Sequence, residues 1–173
     1  RVRAARRLDD PAWTARLARL ERRLRIGREV ELRLGEPGRM PFTWGFRRPV
    51  VVLPSEALGW SASRARAVLG HELAHVARRD VPLVLLARVT CALHWFDPLA
   101  WMLHRRQRSE SERACDRLAL SLGTRPADYA EHLLETATAC SRSRELAPVM
   151  AERSQLEGRI MAILDFERHP ARR

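Results

Sequence analysis

Cysteine is scarce in this chain. There are three in 173 residues, Cys91, Cys115 and Cys140. They are odd in number, widely spaced and form no CxxC pair, which excludes a disulfide framework and points to a reducing compartment. An unbroken apolar run is also missing. The longest candidate, VPLVLLARVTCALHWFDPLAWML at 81–103, has the length to span a bilayer. Arg88, His94 and Asp97 interrupt it, and Pro82 and Pro98 bracket much of it, so it predicts a buried helix close to a membrane and not a spanning one. The chain opens on arginine and carries no apolar leader, so the expectation is a fragment of a longer protein. Tyrosine occurs once, as Tyr129.

What is present is enough for one domain. The length suits a single unit, and 46% of the residues are hydrophobic. The net charge is +11, carried by arginine. That excess fits nucleic acid, an anionic membrane surface or cytoplasmic flanks of membrane segments. No recognition-helix signature, zinc finger or aromatic sheet platform supports the first, so no specific nucleic acid is expected.

DDPAWTARLARLERRLRIG predicts a helix with Asp10 as cap and Pro11 at its first position. Trp13, Leu17, Leu20 and Leu24 share one face, and Gly27 is the expected stop. The period then changes to two in EVELRL, with Val30, Leu32 and Leu34 on one side. After the turn signal EPGR, MPFTWGFRRPVVVLP completes a small antiparallel sheet of two or three strands. From Ser61 onward the pattern is helical. One helix runs from about residue 63 to 79, and Asp80 and Pro82 cap and start the next. RQRSESERACDRLALSLG, PADYAEHLLETATACS and ERSQLEGRIMAILDF supply three more. The fold class is α+β, mostly helical, with the sheet packed near the helix that begins at about residue 63. The division is a basic juxtamembrane arm at 1–8, a single domain at 9–166 and a tail at 167–173.

That helix carries VLGHELAHVARRD at 68–80. Positions i and i+4 project from one helical face, so His71 and His75 present two imidazoles side by side, the spacing one helix offers a tetrahedral zinc. Glu72, rotated away, can reach a water on the metal as general base. A catalytic zinc usually takes a third protein ligand. Positions 78 and 81 hold Arg78 and Val81, which excludes the third histidine of the metzincin pattern. SESERACDRLAL offers carboxylates: Glu112 is the assigned third ligand, with Glu110 as rival, and Asp116 would accept a hydrogen bond from the outer nitrogen of a ligand histidine. Cys115 reads as buried, with soft-metal ligation the lesser alternative. For a donor to a substrate oxyanion the candidates are Tyr129 and Arg159, with His94, His104 and His132 behind them. His169 reads as a bystander. Trp95, Phe96 and Trp101 read as core, or as facing lipid in a longer protein.

HELAHVARRD, HWFDPLAW and ESERACD, preceded by PFTWGFRRPVVVLP, together resemble the zinc peptidase domain of the BlaR/MecR family of membrane metallopeptidases. The likeness runs from about residue 30 to 165, with a more distant one to the CAAX prenyl peptidases. It implies a zincin-like metallopeptidase domain, a gluzincin with one Zn²⁺ per chain on His71, His75 and Glu112, Glu72 as base and Asp116 behind. It implies that Trp44, Gly45, Val50, Val51 and Val52 lie along a peptide substrate. It further implies a place on the cytoplasmic face of the bacterial membrane, held there by flanking segments outside this chain. Asp97 stands where the family often has asparagine. No penicillin-binding sensor sequence is present, so sensing of β-lactams is not implied. The expected function is zinc-dependent cleavage of a protein or peptide, in regulatory proteolysis; the alternative is a catalytically silent scaffold that binds a protein partner.

Overall fold

The computed structural model describes residues 5–142 and 149–168. Strand β1 (Arg6–Arg7) is followed by helix α1 (Pro11–Arg23), strands β2 (Glu31–Gly35), β3 (Phe42–Trp44) and β4 (Val50–Pro54), and a 3₁₀ turn at Ser55–Gly59. Helices α2 (Ala62–Arg78), α3 (Asp80–Leu93), α4 (Pro98–Ser121), α5 (Pro126–Arg142) and α6 (Val149–Arg168) complete the mostly helical α+β architecture. His169 and nearly all of the tail lie outside the described residues.

The sheet has four strands in the order β1-β2-β4-β3 and is mixed, not antiparallel: β2 and β4 run parallel, while β1 and β3 pair antiparallel at the two edges. The reason is burial. VVVLP is apolar at successive positions and belongs in an inner strand covered on both faces. Val51 and Leu53 face α1 and α2, while Val50 and Val52 pack with Ala5 and Phe42 on the opposite face. Residues 5–8, read as part of a free basic arm, instead join the sheet; Ala5 and Leu8 are buried and Arg6–Arg7 pair with Arg33 and Leu34.

Asp10 caps α1 by accepting from the Trp13 amide, and Trp13, Leu17 and Leu20 enter the core beneath α2. The helix ends at Arg23, before Gly27, and the left-handed residue that follows is Arg25. Gly123 does sit in the left-handed region just beyond α4, where the sequence stops that helix. Gly45 is required by its turn: with φ at +92° a Cβ would lie 2.5 Å from the Arg48 carbonyl oxygen. Its place in the sequence is therefore set by the β3–β4 turn.

The segment at 81–103 is not buried. It breaks at 94–97 into α3 and the start of α4, and only Asp80 and Cys91 of α3 are buried. Trp95, Phe96 and Trp101 are exposed, as are Leu85, Leu86, Leu93 and Met102. Among the described residues nothing covers them, which corrects their reading as core. Among the described residues no helix is long and apolar enough to cross a membrane.

The turn supports a direct test. Gly45→Ala should lower stability by about 1–3 kcal/mol, because the added methyl is both strained and in collision. Thermal unfolding of the two chains measures it; an unchanged midpoint would contradict the turn geometry.

Candidate metal centre

Five helices and one strand converge here. On α2, the i, i+4 spacing puts His71 and His75 on one face, with ring centroids 5.0 Å apart and planes nearly perpendicular. Glu112 comes from α4. One ligand atom from each of His71, His75 and Glu112 lies within 4.8 Å of the other two. His71 Nε2 is 3.4 Å from Glu112 Oε2. Glu110 is exposed on the same helix and pairs with Arg113, so it is not the carboxylate that meets the histidines.

The far side of each ring is held. Tyr129 donates its hydroxyl to Asp116 Oδ1 (2.8 Å) and sits 2.9 Å from His71 Nδ1. Since the hydroxyl has one proton and spends it on Asp116, it accepts from His71, which places a proton on Nδ1 and turns Nε2 toward Glu112. Asp116 Oδ1 is itself 3.1 Å from Nδ1. His75 Nδ1 meets Asp80 Oδ2 at 2.9 Å. Asp80 is buried and also accepts from Ser111 and Arg78.

Sequence reasoning read Asp80 as a helix cap. Arg79, in the left-handed conformation, breaks α2 so sharply that α3 starts at once, and Asp80 turns back toward His75 without capping α3. An acid five residues past the second histidine, on the far side of a helix stop, was the available signal.

Glu72 is buried, and its Oε2 is 2.9 Å from Thr43 Oγ1 on β3; that hydroxyl is also 3.0 Å from the Glu72 carbonyl oxygen. Thr43 was missed because its signal is the pleat. If Thr43 faces α2, its neighbours Phe42 and Trp44 face away. Trp44 is accordingly exposed.

Arg159 of α6 donates Nε and Nη2 to the two oxygens of Asp116, both at 2.8 Å, and places Nη1 3.0 Å from Glu112 Oε2. Three of its five N–H groups are thereby engaged, and the Tyr129 hydroxyl proton is engaged with Asp116. His94 ends α3, His104 lies on α4, and His132 packs on Ser63; all three lie outside the cluster.

The charges follow from these contacts. Burial opposes ionisation of Asp116, but hydrogen bonds from His71 and Arg159 outweigh it and hold the carboxyl well below its usual range. Glu112 is lowered to about 2 against the same burial, by its hydrogen bond to His71 and by Arg159. Burial works against a charged His71, yet Asp116 and Glu112 raise it to about 9. The site therefore favours positive charge between Nε2 and Glu112, whether a proton or a metal cation supplies it. Two imidazoles and a carboxylate fit a catalytic zinc. A second group, His75, Asp80 and Cys115, also lies within metal-binding reach. It fits less well: burial and then Asp80 push the Cys115 thiol up, and a thiol is not a ligand.

Val50, Val51 and Val52 are buried in an inner strand with both edges paired, which corrects their assignment along a substrate. Among the described residues no strand pairs with the outer edge of β3, which carries Thr43 and Trp44.

Residues 1–163 match the peptidase family described as BlaR1 peptidase M56. The chain belongs to that family. It is 27% identical over 132 residues to the regulatory protein BlaR1 of Bacillus licheniformis; the match covers 73% of this chain and 22% of that protein.

The Asp80 contact generates a signed expectation. Burial alone would raise this carboxyl, but His75 and Ser111 lower it to about 2. A depressed carboxylate stabilises the fold above its ordinary pKa of about 3.9 and loses that contribution as the pH falls toward its folded value. Asp80→Asn should therefore cost about 1–3 kcal/mol at neutral pH, with a gap that narrows below about pH 4. Urea unfolding across pH gives the answer, and a gap that widens on acidification would refute it.

Proposed function

We infer that this chain is a zinc-dependent endopeptidase domain, with His71, His75 and Glu112 as the metal's protein ligands and Glu72 as general base. The observation that carries this reading is the convergence of those three ligand groups beside a buried carboxylate. Zinc, when bound, would act as a Lewis acid at the scissile carbonyl and make water a nucleophile near neutral pH.

The chain's own residues supply the rest. Glu72 Oε2 takes a proton from the attacking water and delivers it to the leaving amine. Thr43 Oγ1 orients that carboxylate. Asp116 and Asp80 hold the Nδ1 sides of His71 and His75, which fixes ring orientation. An extended peptide would add to the free edge of β3, gaining main-chain hydrogen bonds. Membership of the M56 peptidases supports a protein or peptide substrate. The chain matches 22% of its BlaR1 relative, and its α3–α4 segment exposes apolar side chains. Both features suit a domain of a larger membrane protein, at the cytoplasmic face, in regulatory proteolysis.

Glu72→Gln should lower peptide cleavage at least about a hundredfold while zinc content stays at one per chain. Glu112→Gln should lose the zinc. Cleavage by the Glu72 variant at the parent rate would overturn the base; stoichiometric zinc with no cleavage in a full-length protein would favour the silent scaffold. Thr43→Val should lower kcat about tenfold with little change in KM, and Thr43→Ser should restore it. An effect confined to KM would remove Thr43 from orienting the base.

A further inference from the structure

Beside the metal centre lies a cleft of about 280 Å³ whose walls include Arg25, Arg28, Arg47, Arg79 and Phe46. Among the described residues, no carboxylate lies within ion-pair distance of any of these four arginines. Arg28 is pinned by neutral acceptors, donating to the Phe46 carbonyl at 2.6 Å and the Val76 carbonyl at 3.1 Å, so its charge is held in place but not cancelled. Four like charges around one concavity repel one another, and a cleft of one sign concentrates ligands of the other.

The backbone adds a second observation. Among the described residues, the non-glycine residues with positive φ are Arg25 at 53° and Arg79 at 58°, and both line this cleft. Glycine would take that conformation without strain. Both positions lie just past a helix end, where the left-handed residue is usually glycine; here a long cation stands at each, facing the same cleft.

A narrow depression lined by Thr43, His75, Arg28, Phe46 and Arg79 adjoins the cleft and shares the last three residues with it. The passage thus leads from the orienter of Glu72 and one histidine of the metal centre to the arginines. Phe46 and Arg47 follow the end of β3 with one residue, Gly45, between, so a peptide laid along that edge has this cleft beside its course.

We propose that the arginine-lined cleft is a substrate subsite for acidic side chains, so that the protein cut at the metal centre carries aspartate or glutamate close to its scissile bond. This rests on the peptidase reading for the word substrate, but binding of an acidic peptide does not depend on catalysis. Guanidinium groups bind carboxylates by paired, charge-assisted hydrogen bonds, and Phe46 supplies an apolar wall for the side-chain stem.

The test uses the whole zinc-loaded chain bearing Glu72→Gln and a labelled ten-residue peptide with three glutamates, against the same peptide with glutamines. Fluorescence anisotropy at 0.15 M salt should show the glutamate peptide binding about tenfold more tightly. Arg25→Gly with Arg79→Gly should remove most of that preference, while the melting temperature holds or rises because glycine relieves the backbone. Arg105→Ser with Arg106→Ser, which removes equal charge from exposed positions of α4, should leave the preference intact. Equal loss in both pairs would reduce the effect to bulk charge and overturn the subsite, as would the absence of any preference. With the base intact, the ratio of kcat/KM for the two peptides should follow the same pattern. Retained acidic binding without cleavage would sink the peptidase reading alone; cleavage indifferent to acidic residues would sink the subsite alone.

Discussion

The constraint on which the site depends is the pairing of Arg159 with two carboxylates of α4. Asp116 and Glu112 are four residues apart on one helix face, largely removed from water, and each also meets His71. Two ionised carboxyls in that position are expensive unless compensated. A guanidinium answers both, because its planar fork closes on Asp116 while its remaining nitrogen reaches Glu112. The consequence is architectural. Arg159 comes from α6, His71 from α2 and Tyr129 from α5, so the same charges that prepare the ligands also fasten four helices together. Removal of the guanidinium leaves buried negative charge uncompensated, a loss felt by fold and site at once.

The two histidines are supported by different means. His71 is backed from within the helical bundle, by Asp116 and Tyr129. His75 is backed by Asp80, Ser111 and the break at Arg79. Between them Glu72 is steadied from the sheet by Thr43. The sheet is small, but it reaches the Glu72 carboxylate directly, and its burial of VVVLP as an inner strand pushes β3 to the edge where Thr43 can do so.

Local signals were legible in the sequence where the information is local. Asp10 and Pro11 announce α1, and the i, i+4 histidines announce their own geometry on α2. Glu112 and Asp116 could be singled out as carboxylates on a later helix face, and the structure brings both to His71. The failures share a cause: each turned on what lies across space. Strand order depends on which strand is covered on both faces, which the alternation of EVELRL does not reveal. Asp80 looked like a cap because caps are local, whereas its partners are His75 and Ser111. Arg159, 43 residues from Asp116 in the chain, gave no signal of its commitment to it. The apolar stretch at 81–103 was read as buried because apolar residues usually are; among the described residues no element packs over it.

That exposure bears on how the domain is held. Leu85, Leu86, Leu93, Trp95, Phe96 and Met102 are each 60% or more accessible, and apolar surface left in water forgoes about 25 cal/mol per Å². A monomer with such a contiguous patch has a free-energy reason to cover it. Asp80 and Cys91 are the points at which α3 is anchored, and Asp80 is the residue that holds His75. The exposed apolar face of α3 and the buried carboxylate that holds His75 thus belong to one helix, so the surface with a reason to be covered and the support of the second histidine are covalently continuous.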